Sequence, residues 1–207
     1  MTNAHGAYVA RTYQDAFARV SELMTDASMP VLIGIDGRSG SGKTTFAQQL
    51  ATELAPLAVD CVEVEDFIGG WHGLSRDIGG IAHIASGLRA NGEAIATPWD
   101  WYAGEWAEPI QLPHSTQIDA ALIVGCGSTS KLVRPHLDAT VWIEVDENIR
   151  RKRVEERDPY DWSDYWQVWA RQEEELLAEF PSDREADIIV QQRPETSSLR
   201  EVCPARQ

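Results

Sequence analysis

A glycine-rich segment between residues 37 and 45 has the residue types and spacing that phosphate chemistry requires. Its sequence, GRSGSGKTT, matches the pattern G-x-x-x-x-G-K-[ST] in full. The three glycines permit the tight, partly positive-φ path by which backbone N–H groups surround an anion. Lys43 would reach the β- and γ-phosphates of a nucleotide, and the Thr44 hydroxyl would bind Mg²⁺. The predicted nucleoside triphosphate site consists of Gly37, Arg38, Ser39, Gly40, Ser41, Gly42, Lys43, Thr44 and Thr45.

The segments on either side of this loop have the patterns of a strand and a helix. Residues 31–36, VLIGID, are mostly apolar and β-branched, which is typical of a buried strand. After the loop, Phe46, Leu50 and Leu54 recur at helical spacing and would share one face. A helix that begins here directs its unsatisfied N–H groups and the positive end of its dipole at the phosphates. A chance match in a Gly/Ser-rich turn would lack these flanks, so we favour the nucleotide site.

Length, composition and charge indicate a single domain. The chain has 207 residues and no linker rich in Pro, Ser or Gly, so we expect one domain over residues 1–192 and a flexible polar tail over 193–207. A net charge of −15 disfavours a nucleic-acid partner, since phosphate backbones bind basic surfaces. Cys61, Cys126 and Cys203 lack metal-ligand spacing, and we find no secretory leader and no apolar run of membrane-spanning length. We predict a cytoplasmic protein with reduced thiols and no membrane partner.

A second predicted strand ends in a candidate catalytic acid. Residues 59–64 alternate between apolar and polar side chains and lead into Glu65-Asp66-Phe67. Ligands of open α/β sheets bind beyond the carboxyl ends of the strands, so Asp66 could accept a proton from a hydroxyl or bind Mg²⁺ there. Glu65 is the alternative, but period-two alternation predicts its side chain on the opposite face. A solvated surface acid is the non-functional interpretation.

Together these residues resemble the uridine kinase-like group of P-loop small-molecule kinases, and more narrowly its actinobacterial-type homologues. The resemblance runs from Val31 to about Val190 and is carried by residues 35–45, 65–67, 70–74, 98–101, 150–158, Trp166, Trp169 and Glu173. It implies the P-loop NTPase/kinase fold, an α/β fold of three layers with a mostly parallel central sheet. It also implies ATP and Mg²⁺ as cofactors and a small hydroxyl compound as the phosphoryl acceptor.

Aromatic residues near the middle of the chain are the candidates for acceptor binding. In the resembled family, the segment that matches residues 98–101 reaches over the acceptor substrate. An aromatic ring can stack on a base while a carboxylate accepts hydrogen bonds from sugar hydroxyls, so a nucleoside suits this segment. The predicted acceptor contacts are Asp66, Trp71, Asp100 and Trp101. The alternative for Asp100 and Trp101 is a packing role on an extended strand, and Trp99 is expected in the core.

A basic cluster on a predicted helix is the candidate lid over the phosphates. The helix follows a predicted strand at 139–145, and Arg150, Arg153 and Arg157 recur on one of its faces. A charge run is usually a solvated face paired with nearby glutamates. The position after the fourth core strand and the family resemblance favour a lid at about 150–163, in which Arg153 and Arg157 stabilise the transferring phosphoryl group.

These features, with the resemblance, predict an ATP-dependent kinase that moves the γ-phosphate to a hydroxyl of a small metabolite, with a nucleoside favoured. The chain departs from the family at the end of the predicted strand 120–124, where Val124 replaces a glutamate that binds Mg²⁺ in relatives. Asp66, Glu65 or water would then complete the metal shell, since Mg²⁺ commonly keeps several waters. The departure leaves open a second class of function, a nucleotide-binding or NTP-hydrolysing regulatory module without phosphotransfer to a small acceptor.

Other patterns predict the elements around the site. The predicted helices are 8–27 and 75–92, with 94–102 and 106–112 as extended arms joined near Gly104 and 186–190 as the last, edge strand. Trp162, Trp166 and Trp169 recur at helical spacing, which favours a core stripe. Glu173 to Glu175 are expected on the surface.

Overall fold

The computed structural model describes residue 2 and residues 6–25, 27–114, 117–158 and 163–191, with a six-stranded sheet at the centre. The strands are β1 (Tyr8–Ala10), β2 (Val31–Asp36), β3 (Val59–Glu63), β4 (Ala94–Ala96), β5 (Trp99–Asp100), β6 (Glu105–Trp106), β7 (Ile110–Leu112), β8 (Ala120–Val124), β9 (Ala139–Glu144) and β10 (Ile188–Gln191). The helices are α1 (Tyr13–Met24), α2 (Lys43–Glu53), α3 (Leu74–Asn91), α4 (Glu147–Arg157), α5 (Trp166–Glu179) and α6 (Ser182–Glu185). Every pair in the central sheet is parallel, in the order β1-β10-β9-β2-β8-β3.

Helices cover both faces of this sheet. The central strands β2 and β8 are buried along their whole length, which explains why their sequences are nearly continuous apolar runs. On one face, Phe17 of α1 and Phe46 of α2 pack into a core cluster with the sheet. On the other face, Ile81 of α3 and Trp169 of α5 belong to a second cluster. The predicted α/β fold of three layers with a mostly parallel sheet is confirmed.

The N-terminal segment differs from the single helix predicted over 8–27. Residues 8–10 form β1, and α1 begins at Tyr13 because Thr12 and Asp15 form a capping box. Thr12 Oγ1 accepts from the Asp15 N–H (3.1 Å), and the Asp15 carboxylate accepts from the Thr12 N–H (3.2 Å). Since β1 pairs with the outer side of β10, β10 is an interior strand, and the predicted edge position of 186–190 was wrong.

The two predicted extended arms form an antiparallel projection. β4 pairs with β7 and β5 pairs with β6, and Gly104 has a φ of 70° in the connecting turn. Trp101 Nε1 donates to the backbone oxygen of Glu65 at 3.0 Å. This hydrogen bond holds the projection against the segment that follows β3.

Helix α5 carries two buried tryptophans and one buried acid. Trp166 and Trp169 pack in the core, as predicted. Glu173 is 6% exposed, so its predicted surface position was wrong, whereas Glu174 and Glu175 are exposed. The reason is that Trp166, Trp169 and Glu173 share one helix face, which packs inward.

Some predicted features lie outside the described residues. They are Trp162, residues 159–162 of the predicted lid and the predicted tail at 193–207. Across the ranges that the structure does describe, no helix combines the length and the apolar character that crossing a bilayer requires.

Candidate active site

A cavity of about 640 Å³ opens at the carboxyl ends of β2 and β3. The loop after β2, the first turns of α2, the segment after β3 and helices α4 and α5 contribute to its wall. Of the predicted site residues, the wall includes Ser39, Gly40, Gly42, Lys43, Thr44, Thr45, Asp66, Trp71, Trp101, Arg153 and Arg157. The predicted residues outside the wall are Gly37, Arg38, Ser41 and Asp100. The fold thus brings together residues that are more than a hundred positions apart in sequence.

The loop between β2 and α2, residues 37–42, is called the phosphate loop below, and it has a shape that fits an anion. Gly37, Gly40 and Gly42 have φ values of 147°, 78° and 93°, which residues with a Cβ rarely adopt. A Cβ on Gly40 would also clash with the Arg150 carbonyl oxygen. Gly42 is the N-cap of α2 and supplies no side-chain cap, so it leaves the first-turn N–H groups to a ligand. The buried Ser41 hydroxyl has no hydrogen-bond partner among the described residues.

Lys43 is buried at the start of α2 and carries a positive charge. Its Nζ donates to the Gly37 carbonyl oxygen at 2.9 Å and to Cys126 Sγ at 3.4 Å. Burial alone would lower the pKa of Lys43, but the neighbouring Cys126, Glu65 and Glu173 side chains raise it above the ordinary lysine value. Burial also raises the pKa of the Cys126 thiol, so the carboxylates supply the negative charge at neutral pH. The amine is therefore a charged donor beside the loop, which is what a phosphate group binds.

Three carboxylates, those of Glu63, Glu65 and Asp66, line the same cavity. β3 ends at Glu63, and Val64–Phe67 forms a turn of 3₁₀ helix. Period-two alternation therefore stops before Glu65, and its predicted position on the opposite face was wrong. Consecutive residues of the turn both reach the cavity, so both remain candidates for catalysis.

The carboxylates of Glu65 and Asp66 have different surroundings. Glu65 Oε1 accepts from the Cys126 N–H at 3.5 Å, and its charge acts on Lys43, so it lies toward the phosphate loop. Burial raises the pKa of Asp66, and the Glu65 charge raises it further. Burial likewise raises the pKa of Glu63, with a contribution from Asp66. A raised pKa makes the Asp66 carboxylate a stronger base than an ordinary aspartate, which suits it to proton transfer.

The Thr44 hydroxyl and these carboxylates line the same cavity, and they are the kind of oxygen donor that Mg²⁺ prefers. No group of three or more His, Cys, Asp or Glu side chains within the described ranges could hold a metal ion by itself. Such a group is not required, because Mg²⁺ keeps several waters and usually binds through one or two carboxylates plus substrate phosphates. Val124 at the end of β8 supplies no side-chain oxygen.

Asp36, the last residue of β2, connects the phosphate loop to the segment after β8. Its buried carboxylate accepts hydrogen bonds from the N–H groups of Gly37 (2.7 Å), Gly127 (3.0 Å) and Thr129 (2.9 Å) and from Thr129 Oγ1 (2.8 Å). Burial raises the pKa of Asp36, and the bonds from Thr129 oppose that shift. Asp36 therefore fixes the position of the loop.

Replacement of Asp36 by asparagine is expected to lower the free energy of unfolding by about 2–3 kcal/mol. The NH₂ group of asparagine would face buried N–H groups that now donate to the carboxylate, and those donors would lose their acceptor. Chemical denaturation followed by circular dichroism measures this loss. Glu53→Gln, at the exposed end of α2, is the matched control and should leave stability unchanged. Equal stability of the two variants would contradict the anchoring role.

The three arginines on the inner face of α4 have different contacts. Arg150 is buried, and its Nη1 donates to the Ser39 carbonyl oxygen at 3.1 Å, so it supports the loop from α4. Arg153 Nη1 lies 3.4 Å from two further carbonyl oxygens of the loop and lines the cavity. Arg157 also lines the cavity and pairs with Asp158 at 2.7 Å. Arg153 and Arg157 are therefore the two arginines of this face that could reach a bound phosphate.

Three indole rings, those of Trp71, Trp101 and Trp169, form an aromatic wall at the cavity. The Trp71 centroid lies 5.2 Å from that of Trp101 and 6.1 Å from that of Trp169. Tyr165 stacks on Trp71 at a centroid distance of 4.7 Å and an interplanar angle of 13°. Trp101 is still 39% exposed, which leaves ring surface for a ligand.

Asp100 lies outside the cavity wall and holds a turn. Its Oδ1 accepts from the N–H groups of Tyr102 (2.8 Å) and Ala103 (2.9 Å). Its contact with an acceptor therefore stays a prediction, and its present bonds shape the projection that carries Trp101. Trp99 is only partly buried and packs edge-on against Trp106 (5.2 Å), outside the core clusters where it was expected.

Glu173 is a buried candidate for the site, although the sequence predicted it on the surface. Its Oε1 accepts from the Ser39 N–H at 2.8 Å, so a residue of α5 contacts the phosphate loop directly. The spacing of Trp166, Trp169 and Glu173 at i, i+3 and i+7 was the signal that could have identified it, because those positions share a helix face.

Comparisons with known proteins bear on the fold. No protein-family model and no curated protein matches the chain. A possible uridine kinase from Bacillus stearothermophilus aligns with a TM-score of 0.60 at 22% identity and covers 86% of this chain and 98% of its own. A protein assigned as a fructose transport system kinase from Silicibacter gives 0.62 at 17%, covering 87% and 99%. A D-glycerate 3-kinase from Cryptococcus neoformans gives 0.55 at 12%, covering 86% and 95%.

The chain has the P-loop kinase fold. At these identities the likeness concerns the fold, and it does not support the narrower actinobacterial type that the sequence suggested. In a P-loop kinase fold of this topology the ligand site is expected beyond the carboxyl ends of the parallel strands. The cavity described above lies at that edge.

Proposed function

We propose that this protein is an ATP-dependent phosphotransferase that moves the γ-phosphate to a hydroxyl of a small metabolite in the cytoplasm, with a nucleoside as the favoured acceptor. One observation carries the proposal: the cations Lys43 and Arg153 and the carboxylate of Asp66 line a single cavity, where they would bind phosphate and accept a proton. Its volume of about 640 Å³ suits a small-molecule site. The three structural neighbours are named for uridine, fructose transport and glycerate, which supports a hydroxyl acceptor without selecting one.

The donor end of the cavity would bind the phosphates of ATP. The N–H groups of the loop and of the first turn of α2 would donate to the phosphate oxygens, and Lys43 would neutralise their charge. The Thr44 hydroxyl, with Asp66 or Glu65, would hold Mg²⁺, which neutralises phosphate charge when it is bound. Arg153 and the neighbouring Arg157 would then contact the phosphoryl group as it transfers.

The acceptor end supplies the base. Asp66 would accept the proton of the acceptor hydroxyl while that oxygen forms a bond to the γ-phosphorus. The bond from the γ-phosphorus to the bridging oxygen breaks, and ADP leaves with the bonding electrons. The products are the phosphorylated acceptor, ADP and a proton held by Asp66 until solvent removes it.

The aromatic wall is the basis for favouring a nucleoside. A base or a sugar ring can lie against the exposed surface of Trp101, with Trp71 behind it. The carboxylates of Glu63 and Asp66 could accept hydrogen bonds from ribose hydroxyls. The predicted contact of Asp100 would require the projection to approach the acceptor more closely than it does here.

An acceptor screen tests this function against the alternative of a regulatory module that binds or hydrolyses nucleotide. Val124 at the β8 end favours the module, because this strand gives no carboxylate to the metal. ADP release should be measured with ATP and Mg²⁺ alone and then with nucleosides, sugars and hydroxy acids. Stimulation by one acceptor class supports the kinase. Acceptor-independent turnover, or binding without turnover, supports the module.

The lid prediction concerns Arg153 and Arg157. Alanine at either position is expected to lower kcat by about 10–100-fold and to weaken ATP binding less, because these cations act on charge that develops in the transition state. Lys152→Ala is the matched control, since Lys152 points to solvent on the same helix and pairs with Glu156 at 3.7 Å. Unchanged kcat in both arginine variants would mean that Arg153 and Arg157 belong to a solvated helix face without a catalytic role.

The acceptor prediction concerns Trp101. Trp101→Ala is expected to raise the acceptor KM by about tenfold through loss of ring stacking, with little effect on the KM for ATP. Asp100→Asn should raise the acceptor KM less, since its carboxylate is occupied in a turn. Tyr102→Ala, on the same projection and fully exposed, is the control. A lower melting temperature with unchanged kinetics in Trp101→Ala would favour a packing role.

A further inference from the structure

The backbone of Ser39 is held from two sides by buried charged side chains. Glu173 of α5 accepts from its N–H at 2.8 Å, and Arg150 of α4 donates to its carbonyl oxygen at 3.1 Å. Both charged residues are 6% exposed. They reach this loop residue from positions more than a hundred residues away in sequence.

The Glu173 carboxylate accepts this hydrogen bond from a buried position. The void among Ser39, Trp166, Trp169 and Glu173 measures about 10 Å³, which is at the lower limit for one water molecule. Glu173 Oε1 also lies 3.2 Å from the Cys126 thiol, which donates to it. Hydrogen bonds to an ionised acceptor are stronger in such low-dielectric surroundings than at a surface.

Arg150 also connects the loop to α4, which carries most of the predicted lid, and to α5, which follows the lid. The Arg150 guanidinium lies 5.8 Å from the centroid of Trp166, the first residue of α5. Arg150 Nε also donates to the Val145 carbonyl oxygen at 3.0 Å, just before α4. Arg153, the proposed lid residue, is one turn further along α4. Loop, α4 and α5 therefore form one hydrogen-bonded and packed unit.

A loop with glycines at three positions has little rigidity of its own, because glycine loses the most conformational freedom on ordering. Contacts from outside the loop must therefore keep it in the shape that surrounds a phosphate. Binding is tighter when a site is ordered before the ligand arrives. Glu173 supplies such a contact to Ser39, the residue just before Gly40, whose φ is 78°.

We propose that Glu173 is a positioning residue for nucleotide binding: it holds the Ser39 N–H and so keeps the phosphate loop in its binding shape. The inference rests on the proposed nucleotide site. It adds a residue of α5 to that site, and it makes the affinity of the loop depend on how α5 is packed.

Direct binding of MgADP, measured by isothermal titration calorimetry, tests this role without relying on turnover. Glu173→Ala should weaken the affinity by about tenfold, as expected for loss of a buried, charge-assisted hydrogen bond. Glu173→Gln should bind within about threefold of the original protein, since its amide oxygen can still accept from Ser39. Leu176→Ala, buried on the same helix, should lower the melting temperature and leave the affinity unchanged.

Three results would overturn the role of Glu173 alone: full affinity in Glu173→Ala, an equal loss in Glu173→Gln, or the same loss in Leu176→Ala. The last would mean that affinity follows general stability. Failure of the unaltered protein to bind MgADP would overturn the proposed nucleotide site and this inference with it. Glu175→Ala, exposed on the same helix, should bind normally in every case.

Discussion

Phosphotransfer is expected to fall by about 10²–10³-fold when Lys43 is replaced by alanine, the loss typical of removing one donor aimed at transition-state charge. The described residues include no other lysine that lines the cavity, so no nearby amine can replace it. Its Nζ is within 2.9 Å of the loop backbone and is kept charged by surrounding carboxylates. Those features place the charge where the phosphates of ATP would lie.

The Lys43 experiment compares turnover with folding. Lys43→Met, which keeps an apolar chain of similar length, should lose as much activity as Lys43→Ala while packing more normally. Lys131→Ala, on the surface, is the control for loss of one positive charge. Circular dichroism shows whether the fold persists. Near-normal turnover in a folded Lys43 variant would contradict a nucleotide-binding role for the loop.

Asp66→Asn is expected to lower kcat by about 10²–10⁴-fold, the contribution of a positioned general base. The amide keeps the size of the side chain and removes the basic oxygen. ATP affinity should change little, apart from any loss that follows from contact with Mg²⁺. Burial and Glu65 raise the pKa of Asp66. As the pH is lowered, the base should therefore become protonated, and activity should decline, at a higher pH than for an ordinary aspartate.

Glu65→Gln is the matched comparison for Asp66→Asn. Its side chain lies toward Lys43 and the Cys126 N–H, so its loss should raise the Mg²⁺ requirement more than it lowers kcat at saturating metal. An active Asp66→Asn together with an inactive Glu65→Gln would move the base to Glu65. The pH dependence of kcat/KM in both variants separates the two assignments.

Features set by neighbouring residues were predictable from the sequence. The strand at 31–36, the glycine loop and α2 depend on contiguous residues, so the pattern identified all three. The inward face of Trp166 and Trp169 followed from helical spacing for the same reason. The projection around Gly104 was predictable because one positive-φ glycine separates two extended runs.

Features set by distant partners were not predictable in this way. β1 exists because Tyr8–Ala10 pairs with β10, and no local pattern reveals that partner. Glu65 does not lie on the predicted opposite face, because β3 ends at Glu63, one residue before the end of the predicted strand 59–64, and a 3₁₀ turn follows. The sequence predicted Glu173 on the surface with Glu174 and Glu175, but the packing of α5 places its carboxylate against the Ser39 N–H. In each case a tertiary contact outweighed the local signal.

Following the γ-phosphate itself shows whether this protein transfers it to a small molecule. ATP labelled at its γ-phosphate should be incubated with Mg²⁺, the protein and the acceptor that most stimulates ADP release. The label is expected on a hydroxyl of that acceptor in step with ADP, and Lys43→Ala should form almost none of this product. Label found only in inorganic phosphate, whatever acceptor is present, would contradict phosphotransfer to a small molecule.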